Sequence, residues 1–240
     1  MLNIKRFIKI FLLFVLAIII SVGIWQRKNI KAVYTAFVSN PETIASNMEK
    51  QVQEHKEVLK EYDINISVPT IEQTDKLLDG TLTAEEVKSS LGLTKIDVDN
   101  FQDINSEKTQ NNTNENITSY NSDEDTINSI VNNCVSELYA YRVDLMAQLG
   151  QLKQEALNEW NSLPKESRTE GKMRDIGMAG LNKCYALESV ADAKVKSILN
   201  KYKVSLSNIG ADTSIIDTLW DQYSSEKESQ KAYYINKYMN

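Results

Sequence analysis

A chain of 240 residues with 27 Lys/Arg against 33 Asp/Glu carries a formal charge of −6 at pH 7, and an acidic body repels phosphate backbones, which disfavours nucleic-acid binding. Eight Gly and three Pro leave few turns, so a many-stranded β fold is disfavoured and an all-α chain is predicted. The single histidine, His55, removes histidine-rich metal sites and leaves little room for a Ser-His-Asp triad.

Charge is unevenly placed. Six of the basic residues lie in the first 31 positions, which hold no acid, so the remainder carries 21 Lys/Arg against 33 Asp/Glu. Between them, Ile10 to Trp25 are sixteen residues without a charge, and Phe7 and Ile8 extend the apolar run across Lys9. Residues 7–26 thus reach the roughly 20 residues a helix needs to cross a bilayer. Lys9 can snorkel and Trp25 sits where an interfacial aromatic belongs. Ser21 and Gly23 would suit signal cleavage, but Ile24, Trp25, Arg27 and Lys28 read as a helix end. The Lys/Arg count is tied across the run, and the short N-terminus favours residues 1–6 inside. A single-pass cell-membrane protein with its C-terminal body outside the cytoplasm is predicted, with the lipid bilayer as partner through residues 7–26.

A small membrane-proximal helical module is predicted over 27–101. Ile30, Val33, Tyr34 and Phe37 continue a helical stripe out of the membrane. Asn40-Pro41 then supplies an N-cap and an N1 proline. The next helix carries Ile44, Met48, Val52, His55, Leu59 and Tyr62 on one face, where a histidine reads as a seam residue rather than a ligand.

Asp75 to Glu86 (DKLLDGTLTAEE) resembles a calcium-binding EF-hand loop, with Asp75, Asp79 and Glu86 as the candidate metal ligands. Leu77 stands where that family supplies a ligand oxygen. The competing reading is a helical hairpin in which Gly80 caps one helix and Thr83 to Glu86 form a capping box for the next, with Gly92 closing it. The hairpin also resembles the "short C-terminal domain" motif of many bacterial proteins.

Residues 102–126 contain only Ile104, Ile117 and Tyr120 as sizeable apolar residues and are predicted to be a disordered tether. Residues 127–240 are then predicted to form an antiparallel three-helix bundle. Ile127, Ile130, Cys134, Leu138, Tyr141, Leu145, Leu149, Leu152, Ala156 and Trp160 follow an eleven-residue period, which predicts a nearly straight helix. Met173, Gly177, Gly180, Cys184, Leu187, Ala191, Val195, Ile198, Tyr202 and Leu206 make a second stripe, ended by Gly210. Asp212 caps a third helix bearing Ile216, Leu219, Trp220, Tyr223, Gln230, Tyr234 and Tyr238. Turning near 162–171, the hairpin would set Cys184 opposite roughly 141–149 and Cys134 opposite roughly 191–199, too far apart for a disulfide. Two buried free thiols are expected.

Leu138 to Pro164 (LYAYRVDLMAQLGQLKQEALNEWNSLP) and Arg174 to Ser189 (RDIGMAGLNKCYALES) resemble uncharacterised membrane-anchored helical-domain proteins of gut Firmicutes. The resemblance implies an anchor followed by a helical outer domain and carries no activity. Glu188-Ser189 resembles the catalytic pair of lytic transglycosylases, but the companion Gly-Leu-Met-Gln segment is absent. No Walker A loop, dinucleotide fingerprint, G-x-S-x-G or Cys-x-x-Cys occurs. The expected function is therefore an extracytoplasmic interaction or scaffold protein, not an enzyme, with no catalytic residues and no cofactor. The alternative is a cell-envelope enzyme or calcium-responsive sensor built from dispersed carboxylates.

Overall fold

The computed structural model describes residues 39–64, 67–93 and 120–239. The anchor at 7–26, the stripe at 30–37 and tether residues 102–119 lie outside the described residues. Six α-helices occur among the described residues, with no strand. They are α1 (Pro41–Lys60), α2 (Ile71–Leu78), α3 (Ala84–Ser90), α4 (Tyr120–Ser162), α5 (Glu170–Asn208) and α6 (Ser214–Met239). None is long and apolar enough to cross a membrane.

The helix ends follow local chemistry. Asn40 Oδ1 accepts from the Thr43 amide at 2.7 Å, with Pro41 just inside the helix. Thr83 and Glu86 form a reciprocal capping box at the start of α3, satisfying two amides that a helix start otherwise leaves open. Gly80 sits at φ 70° in the turn between α2 and α3, and Gly210 at φ 73° after α5, a region where side chains are strained. The turn from α4 to α5 is closed by Arg168, which donates to the carbonyls of Leu163 and Asn161.

The helix that opens the C-terminal region begins earlier than its apolar stripe suggests. At 43 residues, α4 is about 65 Å long, and residues 120–126 of the segment read as a tether are helical. α4 and α5 run in opposite directions, tied by Glu155–Lys183 at 2.7 Å and Glu137–Lys201 at 2.5 Å. α6 returns along α5 through Lys203–Asp217 at 3.6 Å and Lys227–Asp192 at 2.7 Å. The architecture is a helical bundle.

Burial on α4 departs from the expected stripe. Leu138, Tyr141, Leu145, Leu149 and Leu152 are only half-buried, whereas Val131, Val135, Tyr139, Val143 and Met146 are buried. The cause is a second covering layer. α2 and α3 press Leu77, Ala84 and Val87 against Val143 and Met146. Leu59, Ile64 and Leu93 join one core with Ile130, Val135, Ile198, Tyr202 and Leu219. α1 lies along α6, with Ser229 Oγ donating to Gln51 Oε1 at 2.9 Å and Asn236 Nδ2 to the Ser39 carbonyl at 2.7 Å. α1–α3 and α4–α6 thus contribute side chains to common core clusters. Truncating a core side chain such as Leu59 costs about 2–5 kcal/mol.

Candidate functional site

Among the described residues, a well-buried cluster of charged side chains lies where α1, α4 and α6 meet. Glu226, on α6, is 13 % exposed and Arg142, on α4, 16 %. Neither stands alone. Arg142 Nη1 donates to Glu226 Oε2 at 2.5 Å. Glu226 Oε1 faces His55 Nδ1 at 3.2 Å, and also accepts from Tyr139 Oη and Gln222 Nε2, each at 3.3 Å. Gln222 Nε2 further donates to Tyr139 Oη at 3.1 Å. An ionised carboxylate only accepts, so His55 must carry its proton on Nδ1 here.

The electrostatics keep this glutamate charged. Burial alone would raise its carboxyl, but Arg142, followed by the His55 and Gln222 hydrogen bonds, brings it below the ordinary glutamate value. Tyr139 is driven the other way, first by burial and then by the Glu226 charge. A carboxylate held ionised by four partners is a poor general acid at neutral pH. Its partners are donors of four kinds from three helices, and their combined effect is to fix the helices against each other.

Beside the cluster is a cavity of about 80 Å³, lined by Leu138, Tyr141, Leu145, Val195, Tyr223 and Glu226 among others. This is room for a few waters, well below the roughly 300–1,000 Å³ of small-molecule pockets. Two of its lining residues bond to Asp192, which accepts from Tyr223 Oη at 2.6 Å and from Lys227 Nζ at 2.7 Å. Burial raises the Asp192 carboxyl, yet the Lys227 and Tyr223 bonds leave it below its ordinary value.

The sequence-predicted calcium ligands are not brought together. Asp75 Oδ2 binds Lys237 Nζ at 2.7 Å, Asp79 pairs with Lys153, and Glu86 accepts from the Thr83 amide at 2.8 Å. Among the described residues, no group of three or more His, Cys, Asp or Glu is arranged to hold a metal ion. Glu188 is bound to Lys231 and lies 3.3 Å from Lys227, while Ser189 is exposed.

Cys134 and Cys184 are free. The α4–α5 register is longer than the one read from the turn: Lys183 pairs with Glu155 and Lys201 with Glu137, so Cys184 is level with Glu155 rather than with 141–149. The two thiols are therefore separated along the hairpin by about 30 Å. Burial pushes the Cys134 thiol up to about 12, with Glu137 adding to it and Lys201 opposing. Burial raises Cys184 as well.

No family model, curated protein or solved structure matches the chain. Sequence patterns missed Arg142, Tyr139, Gln222 and Glu226 because each is an ordinary polar residue on a helix. His55 was the one visible signal, a titratable side chain on an otherwise apolar stripe.

Proposed function

We propose that the chain is a membrane-anchored scaffold: residues 7–26 span the bilayer, and the body, an antiparallel three-helix bundle braced by α1–α3, stands outside the cytoplasm as an interaction module. The resemblance to anchored helical proteins of gut Firmicutes fits this organisation. The observation that carries the scaffold role is Glu226, which is buried, ionised and bonded to His55, Tyr139, Arg142 and Gln222. Those bonds commit this largely buried acid to joining helices. A cavity of about 80 Å³ beside it leaves little room for a substrate.

The test is fractionation followed by protease shaving of intact cells. The protein stays with membranes through an alkaline wash, external protease removes the body, and in-cell lysine crosslinking yields discrete protein adducts. Recovery in the soluble fraction or full protection from protease overturns the anchor and its orientation. Absence of any adduct overturns the scaffold role.

A further inference from the structure

The α6 stripe carries one amide, Gln230, which takes no part in the Glu226 cluster. It is 8 % exposed and lines the cavity beside that cluster. Among the described residues its side chain has no hydrogen-bond partner. Arg142 lines the same cavity. A guanidinium has five N–H donors, and among the described residues Arg142 uses only Nη1, on Glu226 Oε2. That carboxylate oxygen accepts no other bond there, which leaves it a lone pair to offer.

Water has access to the amide. Among the described residues, the buried side-chain oxygens and nitrogens closed off from water without a partner are Asp75 Oδ1 and Tyr185 Oη. Gln230 contributes none, so its amide opens onto space that a water can occupy. The cavity volume is about 80 Å³, where a single water needs about 10–15 Å³. Two tendencies compete inside it. Val135, Val195 and Leu219 are buried apolar residues of the lining, and a wholly apolar cavity stays dry. A dry cavity, however, would leave the Gln230 amide with none of the bonds it makes to solvent in the unfolded chain. Burying an unpaired amide costs more than immobilising a bridging water, so hydration wins. Polar partners are sufficient. A buried water makes two to four bonds, and Gln230, Arg142 and Glu226 all line the cavity.

We infer that a short chain of ordered waters occupies this cavity, held by the Gln230 amide, the spare N–H groups of Arg142 and Glu226 Oε2. Water is then a structural component of the joint between α4 and α6, whether or not residues 7–26 span a bilayer. The waters also face the ionised Glu226 carboxylate, where they lessen the burial cost that opposes its charge.

The experiment compares the full native chain with Gln230→Leu, both in detergent and both verified as helical, with detergent alone as the blank. Magnetic relaxation dispersion of solvent oxygen and deuterium counts the waters held longer than the protein takes to tumble. The native chain is expected to hold at least one more such water than Gln230→Leu. Equal counts would mean that the amide binds no ordered water, and would overturn the inference. A second measurement needs no variant and serves where Gln230→Leu does not fold. A dry apolar cavity takes up xenon, so the methyl resonances of Val135, Val195 and Leu219 in the native chain should stay in place under xenon pressure. Xenon-dependent shifts centred on those residues would show a dry cavity and overturn the inference. Neither readout depends on the anchor or on any partner.

Discussion

Gly150 lies against the carbonyl oxygen of Leu77. A Cβ built at position 150 would stand 2.5 Å from that oxygen and 3.1 Å from the Leu78 Cα. Both are backbone atoms, so no side-chain rotation relieves the clash. This contact is how α2 crosses α4, and it lets Leu77 and Val87 reach Val143 and Met146.

Gly150→Ala should therefore loosen the α2–α3 hairpin. An isolated helix would gain about 1 kcal/mol from the change, but forcing the backbones apart costs about 1–3 kcal/mol. Hydrogen exchange is expected to show faster exchange of amides in 71–93, with α5 and α6 little altered. Unchanged protection in 71–93 would show that the crossing does not depend on a bare backbone at 150.

The Glu226 cluster gives stability a defined pH dependence. Its folded carboxyl lies below the ordinary glutamate value, which is about 4.3 in model peptides. The stabilisation is thus present above that value and is lost as pH falls through the lower folded one. Glu226→Gln should cost about 3 kcal/mol at pH 7, because Arg142 is left buried without its counter-charge. It should also flatten the fall of stability between pH 5 and pH 3 relative to the native chain. Denaturant melts across that range check both, and an unchanged midpoint at pH 7 would count against the role given to Glu226.

The legible parts of the fold were those set by neighbours in sequence. Asn40, Gly80, Thr83, Gly92, Gly210 and Asp212 all act at helix ends within a few residues, and each does what its chemistry suggests. Most of the α5 stripe was also legible, since one face of that helix is buried, though Cys184 and Leu187 on it are only half-buried. α4 was harder. A single-stripe reading picks Leu138, Tyr141 and Leu145, yet the parallel series through Val135, Tyr139 and Val143 is buried deeper because α1–α3 cover it. Nothing local signals that covering. The Glu226 cluster was out of reach for the same reason: Arg142 and His55 lie 84 and 171 residues away in the chain.

The cysteines should behave as two different thiols. Cys134 is buried between α4 and α5 with its thiol pushed up to about 12, so almost no reactive thiolate exists at neutral pH. Cys184 is partly buried. Native protein is expected to react slowly and at Cys184 first, and unreduced denatured protein should yield two thiols per chain. A disulfide-linked monomer would contradict the α4–α5 register, which holds the cysteines about 30 Å apart along the hairpin.

Calcium should leave the protein unchanged. The ion needs six or more oxygens at about 2.3–2.6 Å. At the α2–α3 turn, Lys237 holds Asp75, Lys153 holds Asp79, and Glu86 is spent on capping α3 through Thr83. Leu77 offers no side-chain oxygen and is buried against Val143 and Met146. Binding would have to break two lysine pairs, open a capping box and pull Leu77 from the core. Thermal melts in millimolar calcium and in excess EGTA should therefore coincide. A ligand of the native state raises the melting temperature by mass action, so a calcium-dependent rise that disappears in Asp79→Asn would restore the EF-hand reading of this loop. Lys153→Ala sharpens the comparison, since it frees Asp79 without touching the turn: if calcium still has no effect there, the missing oxygen at Leu77, not competition from Lys153, is what keeps the ion out.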